Sequence, residues 1–316
     1  WNILQKYKVT IFYTTPTALR MFIKFGDDIP NSFDLSSLRL LGTVGEPINP
    51  EVWKWYFKII GKEKCPIIDT WWQTETGGML ISSLPGLETV PLKPGSGTLP
   101  IPGVNITVVD ENGDDVPANT KGYLVIKNPW PGMLLTLWGD DEKYKTVYWS
   151  KYENYYYPGD YALKDDDDYI WLLGRADDVL KVAGHRIGTA ELESCLVSHS
   201  SVAESAACGI PDEVKGEVII AFVVLKQGIS NDTGILEKEL SDKIRNDIGA
   251  IATPKQIYFV SKLPKTRSGK IMRRLLKAIG NNEQIGDVST LEDGAAVTEV
   301  QQVFDELQKS IKGNSK

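Results

Sequence analysis

Short apolar runs alternate with helical spacing at the beginning of the chain. The text "KVTIFYTTPTALRMFI" predicts a strand, a turn and a helix, because Pro16 is tolerated in the first turn of a helix. "LRLLGTVGEPINPEVWKWYFKIIG" repeats this plan, and "CPIIDTWWQTETGG" is a third apolar strand that enters a polar, glycine-rich loop. The alternation predicts a layered α/β domain, with these loops at the strand ends where ligands bind.

Period-two patterns replace the helical spacing after Pro94. "GVNITVVDENGDDVPANTKGYLVIKN" predicts two strands around an Asn112-Gly113 turn, and "YYYPGDYALKDDDDYIWLLGR" predicts a second hairpin. The acidic run Asp165–Asp168 lies at the turn of that hairpin. Because Asp favours turns and adjacent turn residues point apart, we expect these carboxylates to be solvated rather than to bind a metal.

A separate unit is predicted after the text "GRADD". "TAELESCLVSH" indicates an amphipathic helix, "VIIAFVVL" a buried strand, and "ILEKELSDKIRNDIG" a charged helix that ends at Gly249. A polar, acidic tail follows Ile279, with one last helix expected in "VTEVQQVFDELQKSI". The predicted fold class is α/β plus α+β. Residues 1–176 form part of a large layered domain with a hairpin-rich subdomain, and residues 177–316 form a small mobile α+β domain.

Composition narrows the class of protein. The 316 residues carry a formal charge of -7, which argues against general nucleic-acid binding. No apolar run approaches the roughly 20 residues that span a bilayer, so we expect no membrane partner. The chain opens in mid-pattern, without Met and without a signal peptide, and we expect a fragment of a longer protein.

The cysteines and the glycines exclude other chemistries. Cys65, Cys195 and Cys208 are odd in number and form no CxxC motif, which predicts reduced thiols and a cytoplasmic location. No GxGxxG motif lies between a strand and a helix, so a nicotinamide dehydrogenase is disfavoured.

Polar loops after the buried strands carry the candidate chemistry. Asp69, Gln73 and Thr74 offer directional hydrogen bonds, and Glu75 offers a carboxylate for Mg²⁺ held by phosphates. The adjacent indoles in "TWWQ" either wall an apolar pocket or pack in the core.

Basic residues cluster in two places of this acidic chain. Arg175, at the domain junction, has the planar guanidinium that binds phosphate in a bidentate way. The loop "LPKTRSGKIMRR" is either a solvated basic face or the place where an anion binds.

Six motifs in order resemble the adenylate-forming acyl-CoA synthetase superfamily. They are "YTTPTA", "GTVGEP", "DTWWQTETGG", "YYPGD", "GRADDVLKVAGHRIGTAELE" and "LPKTRSGKIMRR". The third and the last are similar to those of the acetyl-CoA synthetases in particular. The resemblance covers nearly the whole chain, and the family's upstream phosphate loop is not in it. It implies a ligase that activates acetate with Mg-ATP to acetyl-AMP and pyrophosphate and then forms acetyl-CoA and AMP.

Carried over position by position, the resemblance implies three sets of binding residues. The expected adenylate contacts are Gly45, Glu46, Pro47, Asp69, Thr70, Trp71, Trp72, Gln73, Thr74, Asp160, Arg175 and Arg186. The acyl pocket is walled by Val44 and Trp72, whose indole fills the space of larger acids. The expected coenzyme A surface comprises Thr15, Ala183, Gly184 and Arg245.

The resemblance also implies Mg²⁺, ATP and coenzyme A as cofactors. Glu75 resembles the ligand of the catalytic magnesium, and Asp177 matches the hinge between the domains. A structural magnesium site seen in some members matches Val197, His199 and Val202.

Lys270 resembles the catalytic lysine of the family's last motif. Its ammonium would stabilise negative charge on the α-phosphate, and acetylation would remove that ammonium charge. Lysine acetyltransferases and deacetylases acting on Lys270 are therefore expected partners, beside the small-molecule substrates.

The chain departs from the family pattern at two positions. It has Thr15 where bacterial relatives tend to have Ala, and Ala183 where they have Ser, so a hydroxyl contact at position 183 is lost.

Three functional hypotheses follow from the sequence. The favoured one is an acetate–CoA ligase. The alternatives are a ligase for propionate or another short acid, and a non-catalytic fragment without the phosphate loop, which would be inactive alone.

Overall fold

The computed structural model describes residues 1–212, 215–226, 228, 233–267 and 270–280, and a few positions between 283 and 298. The predicted Ser268-Gly269 turn lies outside the described residues, as do the acidic tail and its helix apart from those few positions. The chain forms two compact units. The first comprises Trp1–Leu19 and Gly26–Asp177, and the second comprises Arg20–Phe25 and the chain from Asp178 onward.

Helices lie between the strands of the first 69 residues, and strands predominate from there to residue 175. In chain order they are α1 (Asn2–Lys6), β1 (Ile11–Thr14), α2 (Pro16–Lys24), α3 (Asp28–Asn31), β2 (Leu40–Thr43), α4 (Pro50–Trp55), β3 (Ile67–Asp69), β4 (Ile106–Val109), β5 (Lys121–Ile126), α5 (Asp141–Tyr148), β6 (Asp160–Lys164) and β7 (Ile170–Arg175).

A parallel sheet in the order β1-β2-β3 forms the first layer. Helix α4 returns from β2 to the next strand and begins where the side chain of Asn49 accepts the amide protons of Glu51 and Val52. A π-helical turn continues α4, and the buried hydroxyl of Tyr56 donates to the carbonyl of Phe12 at 2.8 Å. The predicted strand–turn–helix repeats are therefore present, and the polar loops follow the carboxyl ends of parallel strands.

The second sheet is antiparallel, in the order β4-β5-β6-β7. The predicted Asn112-Gly113 turn is closed by Asp110, whose carboxylate accepts the amide protons of Asn112 and Asp114. Val109 pairs with Asp115 across this turn, and the longer ladder between β4 and β5 begins at Val109 and Tyr123. One face of the sheet packs on Trp71, Ile81 and other apolar side chains, and tyrosines cover the other face.

The acidic turn between β6 and β7 is not fully solvated, so that expectation is wrong for its first residue. Asp165 is only 9% exposed. Its carboxylate accepts hydrogen bonds from Lys93 Nζ at 2.6 Å and from Trp171 Nε1 at 3.0 Å. Burial alone would raise the pKa of Asp165, but these bonds and two backbone N–H groups hold it at about 2.

We expect Asp165→Asn to destabilise the chain in a pH-dependent way. The pKa of Asp165 is about 2 in the folded state, below its unfolded value, so its stabilisation is complete above about pH 4 and is lost as pH falls through 2. Urea unfolding at pH 7 should show a loss of about 2 kcal/mol, and about half that difference at pH 3.

Asp168→Asn in the same turn is the matched control. Its carboxylate is 73% exposed and pairs only with Lys164 among the described residues. An exposed pair of this kind contributes little, so its effect should stay within about 0.5 kcal/mol at both pH values. An Asp165→Asn penalty that is equal at pH 7 and pH 3 would contradict the depressed pKa.

The second unit is a layered α+β structure. Its elements are β8 (Leu180–Val182), β9 (His185–Ile187), α6 (Thr189–Val197), β10 (Val202–Asp212), β11 (Gly216–Leu225), α7 (Thr233–Asp247), β12 (Gln256–Phe259) and α8 (Arg273–Gly280). The five strands form one sheet, in which β11 pairs antiparallel with β10 and β8 and parallel with β12.

Apolar side chains bury both faces of this second sheet. Ala207, Ile219 and Ala221 face the core that contains Leu192 of α6 and Leu240 of α7. The alternate residues of the same strands face a second core, which includes Phe222 and residues of α8. The predicted helices α6 and α7 and strand β11 are therefore present, whereas the long strand β10 was not predicted.

No helix in the described part of the chain combines the length and the apolar character that a membrane crossing requires.

Candidate active site

The ends of the three parallel strands bring the predicted loops to one edge of the first sheet. Thr14 pairs with Thr43, and Thr43 pairs with Asp69, so the strands end in register. Side chains then link the neighbours: Thr70 Oγ1 donates to the carbonyl of Thr43 at 2.8 Å and lies 2.6 Å from the hydroxyl of Tyr13. Three loops that are distant in sequence are thereby held as one surface.

Asp69 is the buried carboxyl of this surface. Its Oδ1 accepts a hydrogen bond of 2.7 Å from Thr43 Oγ1. Burial raises the pKa of Asp69 to about 7, against hydrogen bonds from Thr43 and from the backbone of Ile48 that lower it, and the charge of Glu46 adds to the rise. The carboxyl therefore changes its charge near neutral pH.

The loop after β2 contains Val44, Gly45, Glu46 and Pro47, and it lies beside the start of α2, the helix that follows β1. Gly45 has φ of 96°, a conformation that glycine adopts without strain. Glu46 accepts a short hydrogen bond from the hydroxyl of Thr17, next to Thr15 and at the start of α2. Gly45 is exposed and Val44 half-buried, so this loop can contact a ligand with both backbone and side chain.

Asp160, at the start of β6, gathers three predicted site residues. Its Oδ2 accepts from Trp71 Nε1 at 3.1 Å and lies 3.5 Å from Gln73 Nε2. Its Oδ1 lies 3.6 Å from Arg175 Nη1. The first sheet's loop and the hairpin β6–β7 therefore meet at one carboxylate.

The guanidinium of Arg175 is held by a backbone carbonyl as well as by neighbouring carboxylates. Its Nη1 donates to the carbonyl of Pro158 at 2.8 Å, and its Nε lies 3.4 Å from Asp177 Oδ1. Burial alone would lower the pKa of Arg175, but the carboxylates of Asp160 and Asp177 raise it. Gly159 lies so close that a Cβ there would be 2.3 Å from Arg175 Nη2, and its φ is 81°. The guanidinium is thus a fixed positive charge at the rim of the site.

A cavity of about 330 Å³ lies beside this cluster. Its walls include Gln73, Glu75, Tyr148, Gly159, Arg175 and Asp177. Acidic, basic and aromatic groups thus share one space, which suits a ligand with an anionic part and a planar part.

Tyr148, which lines this cavity, and the buried Tyr156 beside Gln73 were not predicted as site residues. The hydroxyl of Tyr148 donates to Glu75 Oε1 at 2.5 Å, and that of Tyr156 donates to Gln73 Oε1 at 3.2 Å. Burial, and then the bond to Glu75, raises the pKa of Tyr148 to about 12. The aromatic run before "PGD" was the available signal, but nothing in its spacing links it to Gln73 or Glu75.

Glu75 has the chemistry of a magnesium ligand. Its carboxylate faces the cavity, and Tyr148 orients it through one oxygen. Carboxylate oxygens are the ligands that Mg²⁺ prefers, so the residue fits the predicted ion. Among the described residues no cluster of three or more His, Cys, Asp or Glu is present, so an ion there would need phosphate oxygens or water as further ligands.

The two adjacent tryptophans differ in environment. Trp71 is 8% exposed and packs in the core beneath the antiparallel sheet, while Trp72 is 42% exposed. The indole of Trp71 is therefore covered and donates to Asp160, whereas the indole of Trp72 has an exposed face. Thr74 is also exposed, and it begins the short 3-10 turn Thr74–Thr76.

Predicted site residues of the second unit lie on its own surface. Ala183 and Gly184 form the tight turn of hairpin β8–β9, with φ of 47° and 81°, and both are exposed. Arg186 is half-buried on β9, and Arg245 is exposed on α7. Lys270 is exposed and shares no ion pair with any residue that the structure describes.

His199 has protein groups at both ring nitrogens. Nδ1 accepts the amide proton of Ser201 at 3.3 Å, and Nε2 lies 3.6 Å from a carboxylate oxygen of Glu239. Since Mg²⁺ prefers oxygen, the carbonyls of Val197 and Val202 are the better donors at this place. The structural magnesium site stays a prediction.

Comparison with known families now places the chain in a class. The profile described as "AMP-binding enzyme" matches residues 1–138, and that described as "AMP-binding enzyme C-terminal domain" matches residues 191–270. The chain therefore belongs to the AMP-binding enzyme family.

Within that class the chain is similar to acetyl-coenzyme A synthetases, which confirms the predicted resemblance. It is 58% identical over 311 residues to that of Pyrobaculum aerophilum, covering 98% of this chain and 46% of the relative. It is 54% identical over 307 residues to that of Chlorobaculum tepidum, covering 97% of this chain and 46% of the relative. The chain thus spans about half the length of the curated relatives it matches.

A solved structure has the same fold. The crystal structure of an anthranilate CoA ligase in complex with anthranoyl-AMP superposes with a TM-score of 0.78 and 31% identity, covering 88% of this chain and 51% of that chain. The predicted fold class is thereby confirmed.

Proposed function

We propose that this chain works within a polypeptide of its relatives' length as an AMP-forming acetate–CoA ligase. The convergence of Trp71, Gln73 and Arg175 on Asp160, beside a cavity with a carboxylate for Mg²⁺, carries the proposal. The identity of 52–58% to acetyl-coenzyme A synthetases supports acetate as the acid.

The proposed reaction has two steps. In the first, an acetate oxygen attacks the α-phosphorus of ATP, forming acetyl-AMP and expelling pyrophosphate. In the second, the sulfur of coenzyme A attacks the acetyl carbon, forming the thioester and expelling AMP. Both steps need negative charge to be stabilised and water to be excluded.

Residues of the first unit would hold the nucleotide and the acid. Asp160 would accept hydrogen bonds from the ribose hydroxyls, with Arg175 beside it, while the loop Gly45–Pro47 and residues Asp69–Thr74 would contact the adenylate. Glu75 would hold Mg²⁺, which would supply positive charge against the phosphates. The exposed indole of Trp72 would close the acyl pocket against larger acids, with Val44 as its other wall.

Residues of the second unit would serve the two steps in turn. The ammonium of Lys270 would stabilise charge on the α-phosphate during adenylation. The turn at Ala183-Gly184 and the guanidinium of Arg245 would contact coenzyme A, Arg186 would act near the phosphate, and Asp177 would be the hinge between the two arrangements. Thr15 would lie on the coenzyme A path.

Regulation and location complete the proposal. An acetyl group on Lys270 would remove the ammonium charge, so a lysine acetyltransferase and a deacetylase would control adenylation. The cysteines at 65, 195 and 208 are buried and unpaired, which supports a reducing, cytoplasmic compartment.

A ligase for propionate is the second candidate, because part of the acyl pocket lies outside this chain. Both candidates would use the exposed indole of Trp72 as a wall of the pocket, so the measured acid preference would separate them. One additional methylene in an apolar pocket changes the free energy of transition-state binding by only about 1–3 kcal/mol.

The acid preference of the full-length protein tests the proposal. We expect AMP formation from acetate to exceed that from butyrate by about 10-fold or more in kcat/KM. Trp72→Ala should reduce that ratio by about 10-fold, because the indole no longer fills the pocket. Initial rates of AMP formation with acetate, propionate and butyrate give both ratios.

Trp138→Ala is the matched control, since Trp138 is fully exposed and outside the proposed site. It should leave the acid preference unchanged. A clear preference of the unaltered protein for butyrate would contradict the role of Trp72, and an absence of acid-dependent pyrophosphate release would contradict the ligase itself.

A further inference from the structure

Lys270 belongs to a short hairpin, here called the Lys270 hairpin and taken as the described residues of Pro264–Met272. Lys265 and Ile271 form an antiparallel bridge, and the amide of Met272 donates to the carbonyl of Pro264 at 2.9 Å. The amide of Thr266 donates to the carbonyl of Lys270 at 2.9 Å, and its hydroxyl accepts the amide proton of Lys270 at 3.1 Å. The backbone of Lys270 is therefore fixed although its side chain is exposed.

A buried ion pair holds the first strand of this hairpin. Lys265 Nζ lies 2.5 Å from Glu204 Oε2, and the two side chains are 12% and 7% exposed. Glu204 stands on β10, on the face that carries Ala206 and Cys208. If the buried ammonium of Lys265 moved away, the negative charge of Glu204 would be left buried without a partner.

A second buried ion pair holds the residue that follows the hairpin. Arg273 donates from Nε to Glu193 Oε1 at 2.8 Å and from Nη2 to Glu193 Oε2 at 2.5 Å. The side chains are 17% and 10% exposed. The amide of Ala207 also donates to Glu193 Oε1, at 2.9 Å, so the carboxylate joins α6, β10 and α8.

The second pair has a geometry that fixes position as well as charge, whereas the first is a single contact between Lys265 and Glu204. The fork of Arg273 on Glu193 has two parallel bonds, which define the orientation of both groups. The pairs flank Lys270 in sequence on either side, and neither contacts its side chain. They are also costly to bury, so stability alone is a weak reason for their presence.

We propose that Glu193 and Glu204 are positioning residues for adenylation, since they anchor the backbone on both sides of Lys270. The proposal rests on the proposed role of Lys270. Neither carboxylate would touch a substrate. Each would act by keeping the Lys270 hairpin where its ammonium is needed.

The test separates the two half-reactions in the full-length protein. Glu193→Gln and Glu204→Gln should each lower acetate-dependent ATP–pyrophosphate exchange by about 10-fold, because a displacement of about 1 Å can cost up to ~10². Formation of acetyl-CoA from supplied acetyl-AMP should stay within about 2-fold, since that step does not use Lys270. A merely structural role would lower both rates together.

Glu237→Gln is the matched control. Glu237 is half-buried on α7, and it accepts hydrogen bonds from Gln256 Nε2 at 3.0 Å and from the amide of Ile257. It should leave both rates unchanged. If the single variants do not fold, the double variant Lys265→Met/Glu204→Leu removes both charges of one pair, which proteins often tolerate, and should show the same split.

Two outcomes would overturn the proposal: equal loss in both half-reactions, or no loss in pyrophosphate exchange. A failure of the proposed function is distinguishable from these, because then the unaltered protein itself would show no acetate-dependent exchange.

Discussion

Replacing Lys270 by Gln in the full-length protein should lower acetate-dependent ATP–pyrophosphate exchange by ~10²–10³-fold, which is the usual cost of losing a group that stabilises charge in the transition state. Gln keeps the length and polarity of an acetylated lysine but carries no positive charge. The fall should be in kcat, with little change in the KM for ATP, because the ammonium acts on charge that develops during the reaction.

Lys277→Gln is the control for this variant. It is an exposed lysine on α8, close to Lys270 in sequence, and it should leave the exchange rate unchanged. Conversion of supplied acetyl-AMP to acetyl-CoA should be little affected by either substitution. Exchange at the full rate in the Lys270→Gln protein would show that the adenylation mechanism proposed above is wrong.

Phe222→Ala should destabilise the second unit by about 3–5 kcal/mol, the cost of emptying a buried aromatic site. Phe222 is fully buried on β11, and its ring stacks on Tyr258 with centroids 5.8 Å apart. Globular domains are stable by only about 5–15 kcal/mol, so the loss is a large part of the total.

The measurement is urea unfolding of the chain followed by far-UV circular dichroism. Tryptophan fluorescence is unsuitable for this unit, because all nine tryptophans lie at or before Trp171. Ile235→Ala, at a site on α7 that is 61% exposed, is the control and should change the free energy of unfolding by less than about 0.5 kcal/mol. An equally small effect at Phe222 would contradict its place in the core.

Local sequence patterns predicted those elements in which the buried residues are apolar and the exposed residues are polar. Strands β1 to β3 are short apolar runs that end in polar loops, and α4 has Pro50 in its first turn after the capping residue Asn49. Strand β10 was missed because "VAESAACGI" mixes small and polar residues. In the structure Glu204 is buried there beside Lys265, which is far away in sequence, and Ser205 Oγ donates to the carbonyl of Glu193 on α6.

In the candidate site, too, the sequence predicted which loops take part but not the contacts between residues that are distant in sequence. The loops were located by motif, and Asp160 and Arg175, two of the predicted adenylate contacts, lie close together. The burial of Trp71, its bond to Asp160 and the bond from Tyr148 to Glu75 depend on how two sheets meet. The carboxylate of Asp165 was expected in solvent for a similar reason, since its partner Lys93 is far away in sequence.

Because both faces of the second sheet are buried, the pattern of apolar residues does not fix the register in which its strands pair. In a sheet with one exposed face, that pattern does fix the register. A slip of one residue between β10 and β11 would exchange the two apolar cores without exposing either, so hydrophobicity alone does not select the pairing. Glu204 breaks that symmetry, because its carboxylate meets an ammonium on one side of the sheet and Leu192 and Leu240 lie in the core on the other. A buried carboxylate on one face of β10 thus favours one alignment of this strand in the sheet.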